Sequence, residues 1–265
     1  MEKKLTVTIV TFFTDFLVLN EAIKSIKNDF DSAYFVIVDN SQSDGYFREL
    51  KKFRFEYQNI VIINTTSNKG YGAGHNYAEK HCPESIYHLI VNPDIRVHKG
   101  SLKAMIEYME KEKSISILFP KILNSDESLQ YLNTREPSLL DLMINRFPLK
   151  FFKNLHFLKK REEYFRMKDI GYDSNYDLQF LSGCFMLFRR KAYALVNGFD
   201  ENYFMYFEDW DICKKITSKG LRISYLHSSK VTHYYERGST KKIKLFISLI
   251  VSMIRYFGKW GWKLW

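Results

Sequence analysis

The stretch TVTIVTFFTDFLVLNEAIKSIKNDFDSAYFVIVDNS, residues 6–41, decides the fold class. Thr6–Phe12 is β-branched and apolar, which predicts a buried strand. Asp15 is placed to cap a helix, and Leu19, Ala22, Ile23 and Ile26 recur at helical spacing behind it. Tyr34–Val38 predicts a second strand, closed by the turn-forming Asp39-Asn40-Ser41. The alternation continues outward. Strands are predicted at Ile60–Ile63, Ile86–Val91 and Ile115–Phe119, with a helix at Leu102–Met109. Strands alternating with helices imply a three-layer α/β domain around a mostly parallel sheet. Such sheets bind ligands beyond the carboxyl ends of their strands. Asp39 and Asp94 both fall at that edge.

The chain has 265 residues, enough to bury a full core. Its net charge of +10 favours a phosphate-bearing partner, a polyanion or an anionic membrane surface. Aromatic residues make up 17% of it, which suits stacking or membrane-facing surfaces. Three cysteines without CxxC spacing argue against a disulfide framework or zinc knuckle and for a reducing, cytoplasmic setting. Lys3-Lys4 ahead of Leu5–Phe13 imitates a secretory leader, but Thr6, Thr8 and Thr11 interrupt the apolar run and Asp15 closes it, so a first strand is expected.

Asn124–Asn175 is less regular and holds Pro137, Pro148, Lys150-Phe151-Phe152-Lys153 and Lys159-Lys160-Arg161. It reads equally as a substrate-facing excursion or a surface insertion. Regular pattern resumes at Leu178–Phe188, a helix is expected from about Asp209, and a late strand at Leu221–Leu226. The division expected is a domain over 1–240 and an amphipathic, aromatic helical tail over 241–265. In the tail, the uncharged run Leu245–Ile254 is too short to span a bilayer, which takes about 20 residues. Flanking Lys and Trp residues suit a headgroup region, so peripheral membrane contact and packing on the core or a second subunit both stand open.

Five carboxylates crowd residues 200–211 of this basic chain: Asp200, Glu201, Glu208, Asp209 and Asp211. Carboxylates beside aromatics repel one another and resist desolvation, so such a cluster binds a cation, moves a proton or caps a helix. Glu208 and Asp209 read as first-turn acids favoured by the helix dipole, or as a general base at the sheet edge that Phe204, Phe207 and Trp210 would partly desolvate. Asn68-Lys69-Gly70-Tyr71-Gly72-Ala73-Gly74-His75-Asn76 is a glycine-rich turn. Its glycines would let backbone amides approach phosphate or ribose, or they simply form a tight turn. It is neither GxGxxG nor a P-loop, which removes support for dinucleotide oxidoreductases and P-loop NTPases. Asp39 would accept from a base N–H, or just form its turn. Asp94, after Asn92-Pro93, would ligate a hard cation, or just end a strand. His233, as a lone histidine, is structural or completes a metal shell.

Taken in order, these pieces resemble the family-2 glycosyltransferases of GT-A fold, in particular their rhamnosyltransferase-like members. The matching motifs are Val10-Thr11-Phe12-Phe13, Val38-Asp39-Asn40-Ser41, the Asn68–Asn76 loop, Asn92-Pro93-Asp94, Ser182-Gly183-Cys184-Phe185-Met186, Gly198-Phe199-Asp200-Glu201 and Glu208-Asp209-Trp210-Asp211-Ile212-Cys213, with His233 and Gly238-Ser239 late in the chain. The resemblance implies a Rossmann-like sheet and an inverting, metal-dependent transfer from a nucleotide sugar. It implies donor contacts from Thr11, Asp39, Asn68, Gly70, Gly72, Asn76 and Asn92. Asp94 and His233 would hold Mg²⁺ or Mn²⁺, Asp209 would be the base, and Glu208 its support. Asn92 stands where a full DxD has its first acid, so the metal would rest on fewer carboxylates. The expected donor is dTDP-L-rhamnose, with UDP-galactose, galactofuranose or N-acetylhexosamine donors as the next choice. The expected acceptor is a lipid-linked saccharide of a bacterial surface polysaccharide, such as lipopolysaccharide O-antigen or capsule, at the inner face of the cell membrane. A homodimer is left open. A basic nucleic-acid-binding protein is the rival from another class, and the acidic clusters count against it because they would repel phosphate.

Overall fold

The computed structural model describes residues 3–146, 155–234 and 242–265. Lys150–Lys153, Pro148 and Gly238-Ser239 lie outside the described residues. The elements run β1 (Lys3–Thr11), α1 (Phe16–Asp29), β2 (Tyr34–Asp39), α2 (Asp44–Leu50), α3 (Phe53–Glu56), β3 (Ile60–Asn64), α4 (Tyr71–Glu79), β4 (Ser85–Val91) and β5 (Ile95–Val97). They continue with α5 (Ser101–Lys111), β6 (Ile115–Leu123), α6 (Leu139–Arg146), α7 (His156–Phe165), β7 (Tyr176–Leu178), β8 (Phe185–Arg189), α8 (Arg190–Leu195), α9 (Glu208–Ser218), β9 (Arg222–His233) and α10 (Lys242–Trp260).

One sheet holds the described strands in the order β3-β2-β1-β4-β8-β6-β9-β5, with β7 on β9. The first four strands in that order are mutually parallel, as the strand–helix alternation predicts. β8 enters antiparallel between β4 and β6, and β6 pairs parallel with β9. The short β5 and β7 are antiparallel to β9. β2 reads as a continuous apolar run because helices cover both faces of this half, and Phe35 to Val38 are all fully buried. Asp15 caps α1 by accepting from Leu17 N and Val18 N, and the buried face of α1 is Leu19, Ala22, Ile23 and Ile26.

Order reverses at β1, whose neighbours β2 and β4 are reached by connections leaving in opposite directions. The carboxyl ends of these strands, Thr11, Asp39 and Val91, therefore open a crevice at the switch point. Buried polar groups tie the floor of this half together. Thr8 Oγ1 lies 2.8 Å from His75 Nδ1 on α4 and 3.0 Å from His88 Nε2 on β4.

The strand expected over Leu221–Leu226 runs on to His233. The polar stretch His227–Lys230 hides the continuation, and there the register against β6 shifts between Pro120 and Lys121. His233 is thus the last residue of β9, opposite Ile95 of β5.

Candidate active site

At the switch-point edge the polar ends of β1 and β2 are largely engaged in shaping the chain. Thr11 Oγ1 donates to Val38 O at 3.2 Å, and Asp39 Oδ1 accepts from Ser41 N at 2.7 Å. Asp39 therefore forms the turn its sequence suggested. Asn68 Oδ1 takes Gly70 N at 2.9 Å, and Asn40 Nδ2 donates to Gly70 O at 3.2 Å.

The glycines of the Asn68–Asn76 loop have a packing reason. A Cβ on Gly70, whose φ is +99°, would lie 1.8 Å from Phe204 O. One on Gly72 would meet Phe199 Cβ at 2.8 Å, and one on Gly74 would meet Val10 Cγ2 at 2.8 Å. The loop is bare so that residues 199–204 and β1 can close on it. Asn76 completes this closure. Its Oδ1 accepts from Phe199 N at 2.9 Å and Tyr193 OH at 2.6 Å, and its Nδ2 donates to Phe199 O at 2.9 Å.

A second group forms where β4 runs into β5. Asp94 Oδ1 is buried and accepts no hydrogen bond from the described residues. His233 Nε2 is 3.5 Å from that oxygen and 3.5 Å from Asn92 Nδ2. On the other side of the ring, His233 Nδ1 lies 3.1 Å from Gln130 Oε1, while Gln130 Nε2 donates to His233 O at 2.8 Å. An amide oxygen only accepts, so this pair places a proton on Nδ1 and turns Nε2 toward Asp94. Gln130 is a site residue the sequence reading did not find. It sits in the irregular segment after β6, with no periodicity to mark it. Among the described residues no group of three or more His, Cys, Asp or Glu side chains could hold a metal. Among the described residues, a cation here would rest on Asp94 and His233.

The third group is the acid turn. Tyr206 and Phe207 have φ of 69° and 67°, two bulky residues in succession in the left-handed region. Each costs on the order of 1–3 kcal/mol, which surrounding contacts must offset. Glu208 and Asp209 follow at once in the first turn of α9. Asp209 Oδ2 accepts from Gly183 N at 3.0 Å and Oδ1 from Trp210 N at 2.9 Å. Gly183 is bare for this contact, since a Cβ there would stand 3.3 Å from Asp209 Cβ. Tyr71 OH donates to Gly183 O at 2.7 Å.

Glu208 and Asp209 line a cavity of about 200 Å³ together with Tyr131, Asn145, Phe165, Arg166, Ser182 and Trp210. Part of the irregular 124–175 stretch thus faces the acids. It is braced by the buried Asp141 carboxylate, which Arg161 holds at 2.6 Å and Ser138 N at 2.9 Å. Arg166 is fixed by Asn145 Oδ1 and Tyr131 O, both at 2.9 Å. Of the five crowded carboxylates, only Glu208 and Asp209 line this cavity. Asp200 binds Asn202 and Lys259, Glu201 accepts from Asn76, and Asp211 lies under α10.

The Asp94–His233 pair and the acid turn are neighbours. Burial first, then Glu208, Asp209 and Asp94 among nearby groups, raise the Tyr71 phenol well above its ordinary range. Burial likewise pushes the Cys184 thiol up to about 12, with Asp94 and Asp209 adding to the shift. Asn92 N donates to Cys184 O at 2.9 Å and Gly183 N donates to Asp209 Oδ2 at 3.0 Å, so the Gly183-Cys184 pair links the two groups.

Comparison with known proteins identifies the family and the fold. Residues 164–237 match the model described as the N-terminal domain of galactosyltransferase. The chain is 29% identical over 224 residues to the rhamnosyltransferase WbbL of Escherichia coli strain K12, covering 82% of this chain and 78% of that one. It is 27% identical over 210 residues to an N-acetylglucosaminyl-diphospho-decaprenol L-rhamnosyltransferase of Mycobacterium tuberculosis, covering 75% of this chain and 66% of that one. Among solved structures, GalNAc-T7 with UDP, GalNAc and Mn²⁺ superposes with a TM-score of 0.71 at 13% identity, over 96% of this chain and 48% of that one. The mannosyltransferase PcManGT of Pyrobaculum calidifontis, with GDP-Man and Mn²⁺, gives 0.63 at 13% identity over 98% and 64%. The fold is that of the GT-A enzymes. The model of glycosyl transferase family 2 matches residues 6–195, most of the sheet and the whole switch-point edge, and the chain belongs to that family.

Proposed function

We propose that this chain is an inverting glycosyltransferase that moves a sugar from a nucleotide-sugar donor, dTDP-L-rhamnose first, to a lipid-linked saccharide of a bacterial surface polysaccharide. The observation that carries the reading is the link of the Asp94–His233 pair to the Glu208–Asp209 cavity through Asn92 and the Gly183-Cys184 backbone. The rhamnosyltransferase names of two relatives favour the donor, and the diphospho-decaprenol name of one favours the acceptor class. UDP-hexose and galactofuranose donors are the second choice. Membership of a glycosyltransferase family favours the enzyme reading over a nucleic-acid-binding role.

In this reading the donor nucleoside rests on the edge formed by Thr11, Asp39 and the Asn68–Gly70 backbone. Gly72 and Asn76 act behind it, by holding the 199–204 loop in place. The acceptor saccharide enters the cavity under Trp210 and Phe165, with its hydroxyl at Asp209. The carboxylate is fixed by two backbone amides, which aim it without consuming its proton-accepting capacity. It takes the hydroxyl proton as the acceptor oxygen attacks the anomeric carbon. The bond from that carbon to the diphosphate oxygen breaks, and the configuration inverts. Glu208 beside it supports the negative field that draws the proton. Asp94 and His233 Nε2 suit Mg²⁺ or Mn²⁺, one hard oxygen and one imidazole, with Gln130 orienting the ring. Such a cation, when bound, would offset charge on the departing diphosphate.

No helix among the described residues is long and apolar enough to cross a membrane. α10 nevertheless exposes Ile243, Phe246, Ile247, Val251 and Ile254 at helical spacing, beside Lys244 and Arg255. An apolar stripe edged by cations fits an anionic lipid surface, and we read it as the peripheral attachment that brings the site to a lipid-linked acceptor.

The test is a panel of dTDP-L-rhamnose, UDP-galactose, UDP-galactofuranose and UDP-N-acetylhexosamines, assayed for binding and turnover with Mn²⁺ and with EDTA. Mn²⁺-dependent turnover of one donor and a product of inverted anomeric configuration are expected. A panel in which none binds would sink the reading.

A further inference from the structure

The buried side of α10, with Arg255 and Lys259 at its edges, grips the acid turn at several points. Asp211, in the first turn of α9, is fully buried. A buried carboxylate is tolerated only with partners; beside Tyr203 OH at 3.4 Å, these come from the tail. Lys259 Nζ lies 2.8 Å from Asp211 Oδ1 and 2.9 Å from Asp200 Oδ2, and Trp260 Nε1 donates to Asp211 Oδ1 at 2.8 Å. Burial works against the Lys259 charge, yet these hydrogen bonds leave its pKa raised. Ahead of the acids, Ser252 Oγ donates to Met205 O at 2.9 Å and Arg255 donates to Asn202 O. Between these holds the Phe207 ring packs against Tyr256 at 5.4 Å and Phe257 at 6.4 Å. The left-handed Tyr206-Phe207 pair is therefore bracketed by α10 on both sides.

We propose that Lys259 and Trp260 are positioning residues: by clamping Asp211 they fix the first turn of α9 and the strained turn before it, and so keep Glu208 and Asp209 aimed into the cavity. The inference rests on the transfer reaction proposed above for its kinetic part only. Asp209 is two residues from Asp211 on the same turn, and Gly183 N is its hold from the sheet side. Loss of the clamp frees the turn to relax its backbone, and a displacement of about 1 Å at a reacting group costs on the order of a hundredfold in rate.

The experiment uses the full chain with Lys259→Met, Lys259→Arg, Trp260→Phe and the double variant Lys259→Met/Asp211→Asn. Lys259→Met is expected to lower kcat about ten- to a hundredfold with donor KM unchanged, and Lys259→Arg to recover most of it. The double variant removes the buried charge together with its partner. It is expected to regain thermal stability without regaining kcat. Turnover that simply follows Tm through the series would make Lys259 a stability residue and overturn the proposal. Hydrogen exchange gives a readout that needs no substrate. Faster exchange confined to residues 203–211 is expected in Lys259→Met and Trp260→Phe. Unchanged exchange there overturns the clamp even if the protein proves to transfer no sugar. A wild-type chain that binds no nucleotide sugar defeats only the proposed reaction.

Discussion

The acids at the sheet edge and the acids of the 206–211 turn reach their places by opposite means. Asp39 ends β2, and Asp94 sits in the short link from β4 to β5, so ladder hydrogen bonds fix their backbones within a few residues. Glu208 and Asp209 follow two left-handed residues; Gly183 N holds Asp209, and α10, which begins more than thirty residues later, holds the turn around them. The edge is specified locally, the turn by distant contacts. Substitutions at the edge should therefore change binding within an intact frame, whereas substitutions around the turn should change turnover through geometry.

The largest effect expected is at Asp209. Asp209→Asn keeps its shape and should lower turnover roughly a hundred- to ten-thousandfold while donor binding, followed by calorimetry, stays near normal. Near-normal turnover would leave Asp209 a helix-capping acid and erase the contrast between the two regions.

The next tests how the edge half is glued. Burial first, then Arg190, lowers the His88 pKa to about 3. His75 is also pushed well below its usual value, by burial and then by His88. Both are neutral in the fold and protonate near pH 6.5 when it opens. The His88 contribution to stability is complete above that pH and is lost as pH falls from about 6.5 toward 3, on the order of a few kcal/mol, and the His75 contribution falls in the same direction. Thermal melts between pH 7 and 5 should show falling Tm, with a flatter slope in His88→Asn. Equal slopes in the two proteins would remove His88 from the account.

Gln130 offers an intermediate effect. Gln130→Ala frees the His233 ring and should weaken Mn²⁺-dependent nucleotide binding about 10- to 100-fold. Asp39→Ala should weaken binding equally with and without Mn²⁺. If titration shows the two variants behaving alike, the edge does not divide into nucleoside and cation parts.

The smallest effect on stability is expected at the exposed stripe of α10. Ile247 is 56% exposed, so Ile247→Asp should shift stability by about 0.5 kcal/mol or less. It should nevertheless reduce flotation with anionic liposomes. Unchanged flotation would make α10 a clamp and nothing more.

What could be read from the chain follows the same division. The α1 cap and its four buried residues, the parallel strands and the edge acids were legible because their causes lie within one or two turns of sequence. Gln130 was not, because one glutamine in an irregular segment carries no period. The Asn68–Asn76 glycines announced a turn, but their reason, Phe199 and Phe204, lies more than a hundred residues away. The tail left two readings standing because both describe it: Tyr256 and Phe257 are buried on the acid turn, while Ile243 and Phe246 face outward.

The place of β8 has a consequence for the protein while it is being made. β4 is almost wholly apolar and pairs on one side with β1, but its other neighbour, β8, begins at Phe185. Until about a hundred further residues have left the ribosome, the Ser85–Val91 strand presents an unpaired edge to every other nascent chain. Fragments ending before Phe185 keep the complete β3-β2-β1-β4 block yet carry that open edge permanently, so edge-to-edge aggregation is their expected fate.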